Sequence, residues 1–437
     1  MKLHAVGGYN EVGKNMTAVE VDGEIVIFDM GYDMETVIEH DEDVDEMTTT
    51  STIESGAIPD DSDIHERKED VKAIVIGHGH LDHVGAVPKL AGSYDCPVIA
   101  TPFTMSIIER MAEEDRKSMD NELVRVNAGE KYEVSDNLTV ELVDITHSIP
   151  GAVCSVLHTP EGAVAYSLDF KLDDRPVLGD PSDYERMREL ADEGVKLLIA
   201  DATRVTEDEM GSSESEVKIQ LEHVVDHLYN EGGAAIITTF SSHIERLNSI
   251  LDANNGRRKV AFVGRSLKEY TQSAEELGLI DLSDVEVASY RDEKEQLFSR
   301  IADEREEWLV ICTGNQGEPN AVLTRLARGE HDLEIGDNDH VVFSSDVIPS
   351  PASKANRYRV EKILRESGAK VIKEVHASGH AKREDCRRLV RLLEPEVIVP
   401  ASGTTEMLAS FAELGREEGY TLNEDFFICE NGSVLEI

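Results

Sequence analysis

Four side chains able to hold a divalent ion fall between residues 78 and 83: His78, His80, Asp82 and His83 of "IGHGHLDHVGAVP". Imidazole nitrogens and a carboxylate are ligand types for zinc or a similar ion. In an extended loop His78 and His80 point the same way, and the turn into a following helix brings Asp82 and His83 round to the other side. One tetrahedral ion cannot take all four comfortably, so the spacing suggests two neighbouring ions. Two ions need further ligands. His147 in "DITHSIPGAV" and Asp169 in "AYSLDFK" each close an apolar stretch that reads as a strand. Singly, either reads as a turn histidine or a capping aspartate; spaced after the first cluster, they complete an ordered series.

The elements that must position these groups are legible as alternating apolar runs. "LHAVGG", "MTAVEVDG" and "EIVIFDMG" read as short strands, with the Asp-Gly turn signal of a hairpin between the last two. Residues 33 to 66 are acidic and poorly periodic, which predicts an exposed loop with one short helix. "VKAIVIGHGH" is a buried strand running into a loop, "VGAVPKLAGSY" a short helix, "PVIAT" a strand and "FTMSIIERMAEE" a helix. "LTVELVDITHS", "AVCSVLHT", "GAVAYSLDF" and "VKLLIADAT" follow as strands. From about residue 215, helix-period stretches (216–230, 243–254, 267–278) alternate with the apolar strands "GAAIITTF", "KVAFVG", "EWLVICTG" and "HVVFSSD". That alternation predicts a parallel sheet with crossover helices. A helix near 358, the stretch "KVIKEVHASGH", a helix at 382–393 and "EVIVPASG" close the series.

Length and composition bound the rest. A chain of 437 residues is too long for one ordinary core. Its 43 Lys+Arg against 89 Asp+Glu give a formal net charge of -46, with acidic runs at "EHDEDVDEM", "AEEDRKSMDNE", "ADEREE" and "EIGDNDH". The excess is spread along the chain and reads as adaptation to a high-salt cytoplasm, where the Debye length falls to about 3 Å and self-repulsion costs little. It argues against a general nucleic-acid binder working by counterion release, but leaves room for a nuclease whose few basic and metal groups line a cleft. The cysteines, Cys96, Cys154, Cys312, Cys386 and Cys429, are far apart and imply neither a disulfide framework nor a zinc ribbon. The N-terminus has no apolar stretch of a signal peptide, and no run approaches the roughly 18 residues of a membrane span. A cytoplasmic protein is expected.

H-x-H-x-D-H, then a lone histidine, then a lone aspartate on successive strand ends resembles the metallo-β-lactamase fold, and Asp29 in "IFDMG" matches its first motif, a group that orients the site. "VGGYNEVGKNM", "GHGHLDHVGAVP", "THSIPGA", "LDFK", "DATR", "TGNQGEP", "FSSDVIP" and "VHASGHA" follow one another as in the β-CASP nucleases, specifically the ribonuclease J family. The resemblance covers nearly the whole chain and stops without the extra C-terminal domain of bacterial members, as in the archaeal type. It implies an α/β chain: a metallo-β-lactamase αββα sandwich (1–204 and 356–437) interrupted by a β-CASP domain with a Rossmann-like parallel sheet (205–355). It assigns His78, His80 and His147 to one metal and Asp82 and His83 to the other, with Asp169 bridging. Asp201 of "DATR" matches an acidic motif beside the site. His376, Ala377, Ser378, Gly379 and His380 match a segment that holds substrate phosphate, and His380 is its catalytic histidine. The expected catalytic groups are therefore Asp82, Asp201 and His380. Ser344 and Ser345 in "FSSDVIP" are candidates for reading a 5′-phosphate, with a simple turn as the other reading; "TGNQGEP" reads as a structural and gating turn.

One departure concerns the second ion. The family places a last zinc-ligand histidine in a P-x-H-G segment; here the segment is "VPASGTT", and Ser402 stands at that position. A hydroxyl is a poor zinc ligand, so water fills the position, a harder ion such as Mn²⁺ is used, or the enzyme is impaired. The expected cofactors are two divalent ions, Zn²⁺ or, at the weakened second site, Mn²⁺. The leading reading is a 5′→3′ exoribonuclease with endonuclease activity, acting on single-stranded 5′-monophosphorylated RNA in decay and maturation. The resemblance further implies a homodimer and RNA-decay partners, and no membrane. The alternatives are a hydrolase of the same fold acting on DNA, and a metal-impaired RNA-binding relative.

Overall fold

Strands form where the apolar runs lie. Lys2–Gly7, Met16–Val21 and Glu24–Phe28 make an antiparallel meander. Its second turn is two residues long, with Asp22 and Gly23 both at positive φ (51° and 87°), the backbone that a tight hairpin turn requires. The pairing then becomes parallel, through Val71–Ile76, Val98–Ala100 and Leu123–Arg125. Ser433–Glu436 adds to the free edge of Lys2–Gly7 and completes a seven-stranded sheet. This computed structural model describes residues 1–40, 47–114, 119–348 and 350–437. The chain divides into two units, one of 1–174, 180–211 and 379–437, the other of 175–179 and 212–378.

The first unit holds a second sheet of six strands: Lys131–Glu133, Thr139–Asp144, Val153–Thr159, Gly162–Ser167, Val195–Asp201 and Val397–Ala401, in that spatial order. Val26, Phe28, Val75 and Ile99 of one sheet and Leu142, Leu157, Val164, Leu197 and Ile199 of the other share one buried cluster. The opposite face of the second sheet, with Val143, Cys154, Ala165, Leu198 and Ala200, packs on Met187 and Leu190 of helix Tyr184–Glu193, Leu389 and Val390 of helix Arg383–Leu393, and Leu408 and Phe411 of helix Thr405–Glu417. Val195–Asp201 is thus apolar on both faces, Leu197 and Ile199 one way and Leu198 and Ala200 the other, and its register is set by its parallel pairing with Gly162–Ser167 and Val397–Ala401. A slip of one residue would exchange those faces and carry Asp201, the last residue of the strand, off its position. These layers are the expected αββα sandwich.

The second unit is a parallel six-stranded sheet in the order Val285–Ala288, Lys259–Val263, Trp308–Cys312, Ala235–Thr238, His340–Phe343, Lys370–Ile372. Central strands such as Ala235–Thr238 and Trp308–Cys312 are wholly buried, as covering helices on both faces demand. This is the expected Rossmann-like parallel sheet.

Three sequence expectations differ from this picture. The units divide after residues 211 and 378, where the sequence reading placed boundaries after 204 and 355. Helix Pro351–Glu366 and strand Lys370–Ile372 stay with the second unit because Lys370–Ile372 pairs with His340–Phe343. Residues 205–211 stay with the first, where Arg383 N donates to Glu207 O (3.0 Å) and Gly211 N to Asp385 Oδ2 (2.8 Å). The segment at 33–66, expected as an exposed loop with one short helix, contains helices Met34–His40, Thr49–Glu54 and Ser62–His65; the second is capped by Thr48, whose hydroxyl accepts from Ser51 N at 3.2 Å. Residues 41–46 of "EHDEDVDEM", residues 115–118 of "AEEDRKSMDNE" and Pro349 of "FSSDVIP" lie outside the described residues.

Among the described residues no helix is long and apolar enough to cross a membrane. Among the described residues most carboxylates are not buried, so most of the excess negative charge lies at the surface. Folding is therefore expected to depend on salt: circular dichroism should show loss of structure on dilution from molar to low KCl, because repulsion at this density is unscreened in dilute buffer. Equal stability at both would refute the high-salt reading.

Candidate metal centre

Each expected ligand sits where a strand of the first unit ends. Val71–Ile76 stops two residues before His78, and His80 is the N-cap of the short helix Leu81–Val84, which carries Asp82 and His83. His147 follows Thr139–Asp144, Asp169 follows Gly162–Ser167, and Asp201 ends Val195–Asp201. Strand ends of a sheet that is apolar on both faces are the natural place for polar groups held by a rigid base.

The side chains converge in two sets that share Asp169. His80 Nδ1 lies 3.0 Å from both His78 Nε2 and His147 Nε2, and Asp169 Oδ2 lies 3.6 Å from the first of these and 3.8 Å from the second. On the other side His83 Nε2 is 3.2 Å from Asp169 Oδ2 and 3.6 Å from Asp82 Oδ2. Ligand atoms on one tetrahedral ion with bonds near 2.1 Å stand about 3.4 Å apart, so both sets have the spacing of a metal site. The donor chemistry fits as well. Asp169 Oδ1 is buried and has no hydrogen-bond partner among the described residues, a state that a nearby cation relieves.

Hydrogen bonds behind the ligands set which ring nitrogen is bare. His83 Nδ1 donates to Asp29 Oδ2 (2.7 Å), which also accepts from Tyr166 Oη (2.9 Å), while Asp29 Oδ1 accepts from Gly77 N (2.8 Å). His147 Nδ1 donates to the Gly379 carbonyl at 2.7 Å. Both rings thereby turn Nε2 inward. Residue 379 must be glycine for this approach, since a β-carbon there would lie 2.5 Å from Ser148 Oγ and 2.9 Å from His147 Cε1. Asp29, Asp169 and Ser402 all hold left-handed backbone (φ 59°, 54° and 52°), strain that the surrounding strands must impose.

Charge is distributed to suit cations. Burial, then neighbouring imidazoles, push His78 and His147 well below the ordinary histidine value, and burial brings His80 down to about 3. Shifts in this direction favour the neutral imidazole that a metal requires. Burial acts the same way on His83 but is outweighed by Asp169, Asp82 and Asp29, which hold it well above its ordinary value. Asp82 itself is raised to about 6, by burial first and by Asp169 next.

A second constellation adjoins the first. His380 Nδ1 donates to Asp201 Oδ2 at 2.9 Å and stands 3.8 Å from Asp169 Oδ1. Asp201 Oδ1 is held by the Thr203 amide (2.7 Å) and hydroxyl. Burial lowers the His380 pKa, but Asp169 and Asp201 overcome it and raise it to about 9. The sequence-predicted catalytic groups Asp82, Asp201 and His380 are thus gathered around Asp169.

The chain passes from the second unit to the first inside "HASGH": His376, Ala377 and Ser378 belong to one, Gly379 and His380 to the other. Within the second unit Ser344 is fully buried; its hydroxyl donates to Val375 O (2.8 Å) and accepts from Arg246 Nη1 (2.8 Å). Ser345 Oγ accepts from Asn315 Nδ2 (3.1 Å), and Gln316 braces the same loop through Asp346 O (2.9 Å) and Ile348 N (2.8 Å). "TGNQGEP" therefore buttresses "FSSDVI".

Ser402 is buried, with its hydroxyl 3.4 Å from Thr203 Oγ1. Sequence reasoning did not single out Tyr166, Thr203 or the buried Arg246, whose guanidinium binds both oxygens of Glu214 (Nη2 to Oε2 2.8 Å) and reaches Val375 O at 3.2 Å. Nothing in "AYSLDF" or "SSHIERL" marks Tyr166 or Arg246 locally, and their partners are remote in sequence; Thr203 lies in the quoted "DATR", beside its partner Asp201, but was given no role there. Asn15 lies in the quoted "VGGYNEVGKNM" but was given no role there.

Comparison with known proteins shows which family the chain belongs to. The family described as "Ribonuclease J, beta-CASP domain" matches residues 232–363, "Beta-lactamase superfamily domain" matches 57–244, and "Zn-dependent metallo-hydrolase RNA specificity domain" matches 368–425. The chain is 46% identical to a ribonuclease J of Pyrococcus abyssi, covering 100% of this chain and 97% of the relative. It is 40% identical to one of Methanocaldococcus jannaschii, covering 100% and 98%. A crystal structure of a protein of unknown function from Enterococcus faecalis shares the fold, with a TM-score of 0.68 and 16% identity over 99% of each chain.

Proposed function

This chain belongs to the ribonuclease J family and is a metal-dependent ribonuclease, and from that premise we propose that it degrades single-stranded RNA 5′→3′, with endonuclease activity as a second mode. The observation that carries the reading is the convergence of His78, His80, His147, Asp82 and His83 on Asp169, with the His380–Asp201 pair beside it. We propose that two ions are held, one by His78, His80, His147 and Asp169, the other by Asp82, His83 and Asp169. The chemistry that divalent ions supply in such a site is activation of water at neutral pH and neutralisation of charge on phosphoryl oxygens.

The chain's own groups do the rest. His147 and His83 are locked by Gly379 and Asp29 in the tautomer that presents Nε2. Asp201 accepts from His380 Nδ1, which leaves His380 Nε2–H to donate a proton to the departing 3′-oxygen. His376, Ala377, Ser378 and Gly379 are proposed to hold the phosphate, with Ser345 at the 5′-phosphate. Ser344 is proposed to act there through the loop it ties to Val375. The setting is a salt-rich cytoplasm, with RNA decay and maturation as the role, and a homodimer and RNA-decay partners as its assembly.

The test offers 5′-monophosphorylated and 5′-triphosphorylated RNA, and DNA of the same sequence, to enzyme in molar KCl with Zn²⁺ or Mn²⁺. Mononucleotides released from the 5′ end, faster from monophosphorylated RNA, are expected. Equal cleavage of DNA would favour a broader phosphodiesterase. RNA binding without cleavage under either metal would favour the metal-impaired reading that Ser402 suggests.

A further inference from the structure

The second ligand set, Asp82, His83 and Asp169, has three members where the first has four. A fourth donor is within reach at Asn15. Asn15 is fully buried. Its backbone is fixed against the ligand loop, with Asn15 N donating to Asp82 O (3.0 Å) and Asn15 O accepting from Gly31 N (3.0 Å). Its carboxamide Nδ2 stands 3.1 Å from Asp82 O and 3.0 Å from His83 Nε2. That nitrogen is the bare one of His83, the Asp29 bond having taken Nδ1. The other end of the amide, Oδ1, is buried with no hydrogen-bond partner among the described residues. It lies over Gly8, where a β-carbon would come within 2.4 Å, and the Gly8 carbonyl accepts from Ser402 N at 2.7 Å. The carboxamide therefore occupies the corner between His83 and Ser402.

A half-turn about the Cβ–Cγ bond exchanges Oδ1 and Nδ2. It places the oxygen 3.0 Å from His83 Nε2, beside Asp169 Oδ2 at 3.2 Å from the same atom. Cis ligands of an octahedral ion with bonds of 2.1 Å are about 3.0 Å apart. Asp82 O keeps the Asn15 backbone N–H after the exchange. The exchange removes the amide donor from the His83 lone pair; it also moves Nδ2 to the partnerless position and sets the oxygen 3.1 Å from Asp82 O, so it is a cation between these oxygens that makes the exchange favourable.

We propose that the Asn15 carboxamide oxygen is the fourth protein ligand of the second ion. This rests on the two-ion reading above. It gives that ion one imidazole and three oxygen donors, a set that favours Mn²⁺ over zinc. The first site, with three imidazoles, keeps its preference for zinc.

The experiment is Mn²⁺ titration calorimetry on metal-stripped full-length protein in molar KCl, for wild type, Asn15→Ala and Asn15→Asp, with circular dichroism on each. Wild type should take up two ions. Asn15→Ala should weaken the second at least about tenfold and leave the first unchanged. Asn15→Asp decides between a ligand and a hydrogen-bond donor: an anionic oxygen ligand should tighten the second ion, whereas loss of the Nδ2 donor to Asp82 O alone would weaken it. Should Asn15→Ala not fold, Asn15→Asp carries the test. Two ions in wild type with the second unchanged in Asn15→Ala, or weakened in Asn15→Asp, overturns the Asn15 assignment and leaves the two-ion reading standing. A single ion in wild type overturns the two-ion reading itself.

Discussion

Asp82→Ala and His83→Ala are each expected to abolish RNA hydrolysis while leaving the fold intact. Both residues lie on the four-residue helix Leu81–Val84, and neither belongs to the shared apolar clusters of the two sheets. Removing His83 takes one bond from Asp29 but leaves it those from Gly77 N and Tyr166 Oη, so the buried carboxylate is not orphaned. What is lost is charge and donor capacity at Asp169. Several kcal/mol of transition-state stabilisation are at stake in such a site, and each 1.36 kcal/mol is a factor of ten in rate. A fall of at least about 10³-fold is expected, read as initial rates on 5′-monophosphorylated RNA with circular dichroism as the control. Activity of either variant near wild type would mean that this side of Asp169 takes no part in the chemistry.

That prediction was available from the sequence because the ligands are local. Four of the six expected metal-binding groups lie between residues 78 and 83, and His147 and Asp169 end apolar stretches that read as strands. The fold was legible for the same reason: strands buried on both faces, such as Val195–Asp201 and Trp308–Cys312, are continuous apolar runs. What escaped were features fixed by contacts across the chain. Strand Ser433–Glu436 is short and half exposed, and only its pairing with Lys2–Gly7 makes it a strand. The edge strand Val285–Ala288 likewise lacks a buried face. The second unit reaches past 355 because of a pairing partner, not a change in composition. At the site, the role of Asp29 was read through its motif, but Tyr166 and Thr203 act on Asp29 and Asp201 from 137 and 2 residues away. A lone tyrosine or threonine in a strand or turn carries no mark of such work.

His380→Ala should slow RNA cleavage by about 10²–10⁴-fold, the usual contribution of a positioned general acid. The geometry supplies the reason. His380 Nδ1 is held by Asp201 at 2.9 Å, and Asp201 is in turn fixed by Thr203, so the Nε2 edge of the imidazole has one orientation. With two carboxylates nearby its pKa is raised to about 9, which keeps the ring protonated at neutral pH and ready to donate. Asp201→Asn should cost less than His380→Ala, because it loosens the ring without removing it. The double variant should be no slower than His380→Ala alone, since the pair acts as a unit. A change of substrate separates proton donation from mere positioning. A phosphodiester with a nitrophenolate leaving group needs no proton on departure, so the loss caused by His380→Ala should shrink to a few-fold there while remaining large on RNA. Equal losses on the two substrates would remove His380 from the role of acid and leave it as a group that only places the phosphate.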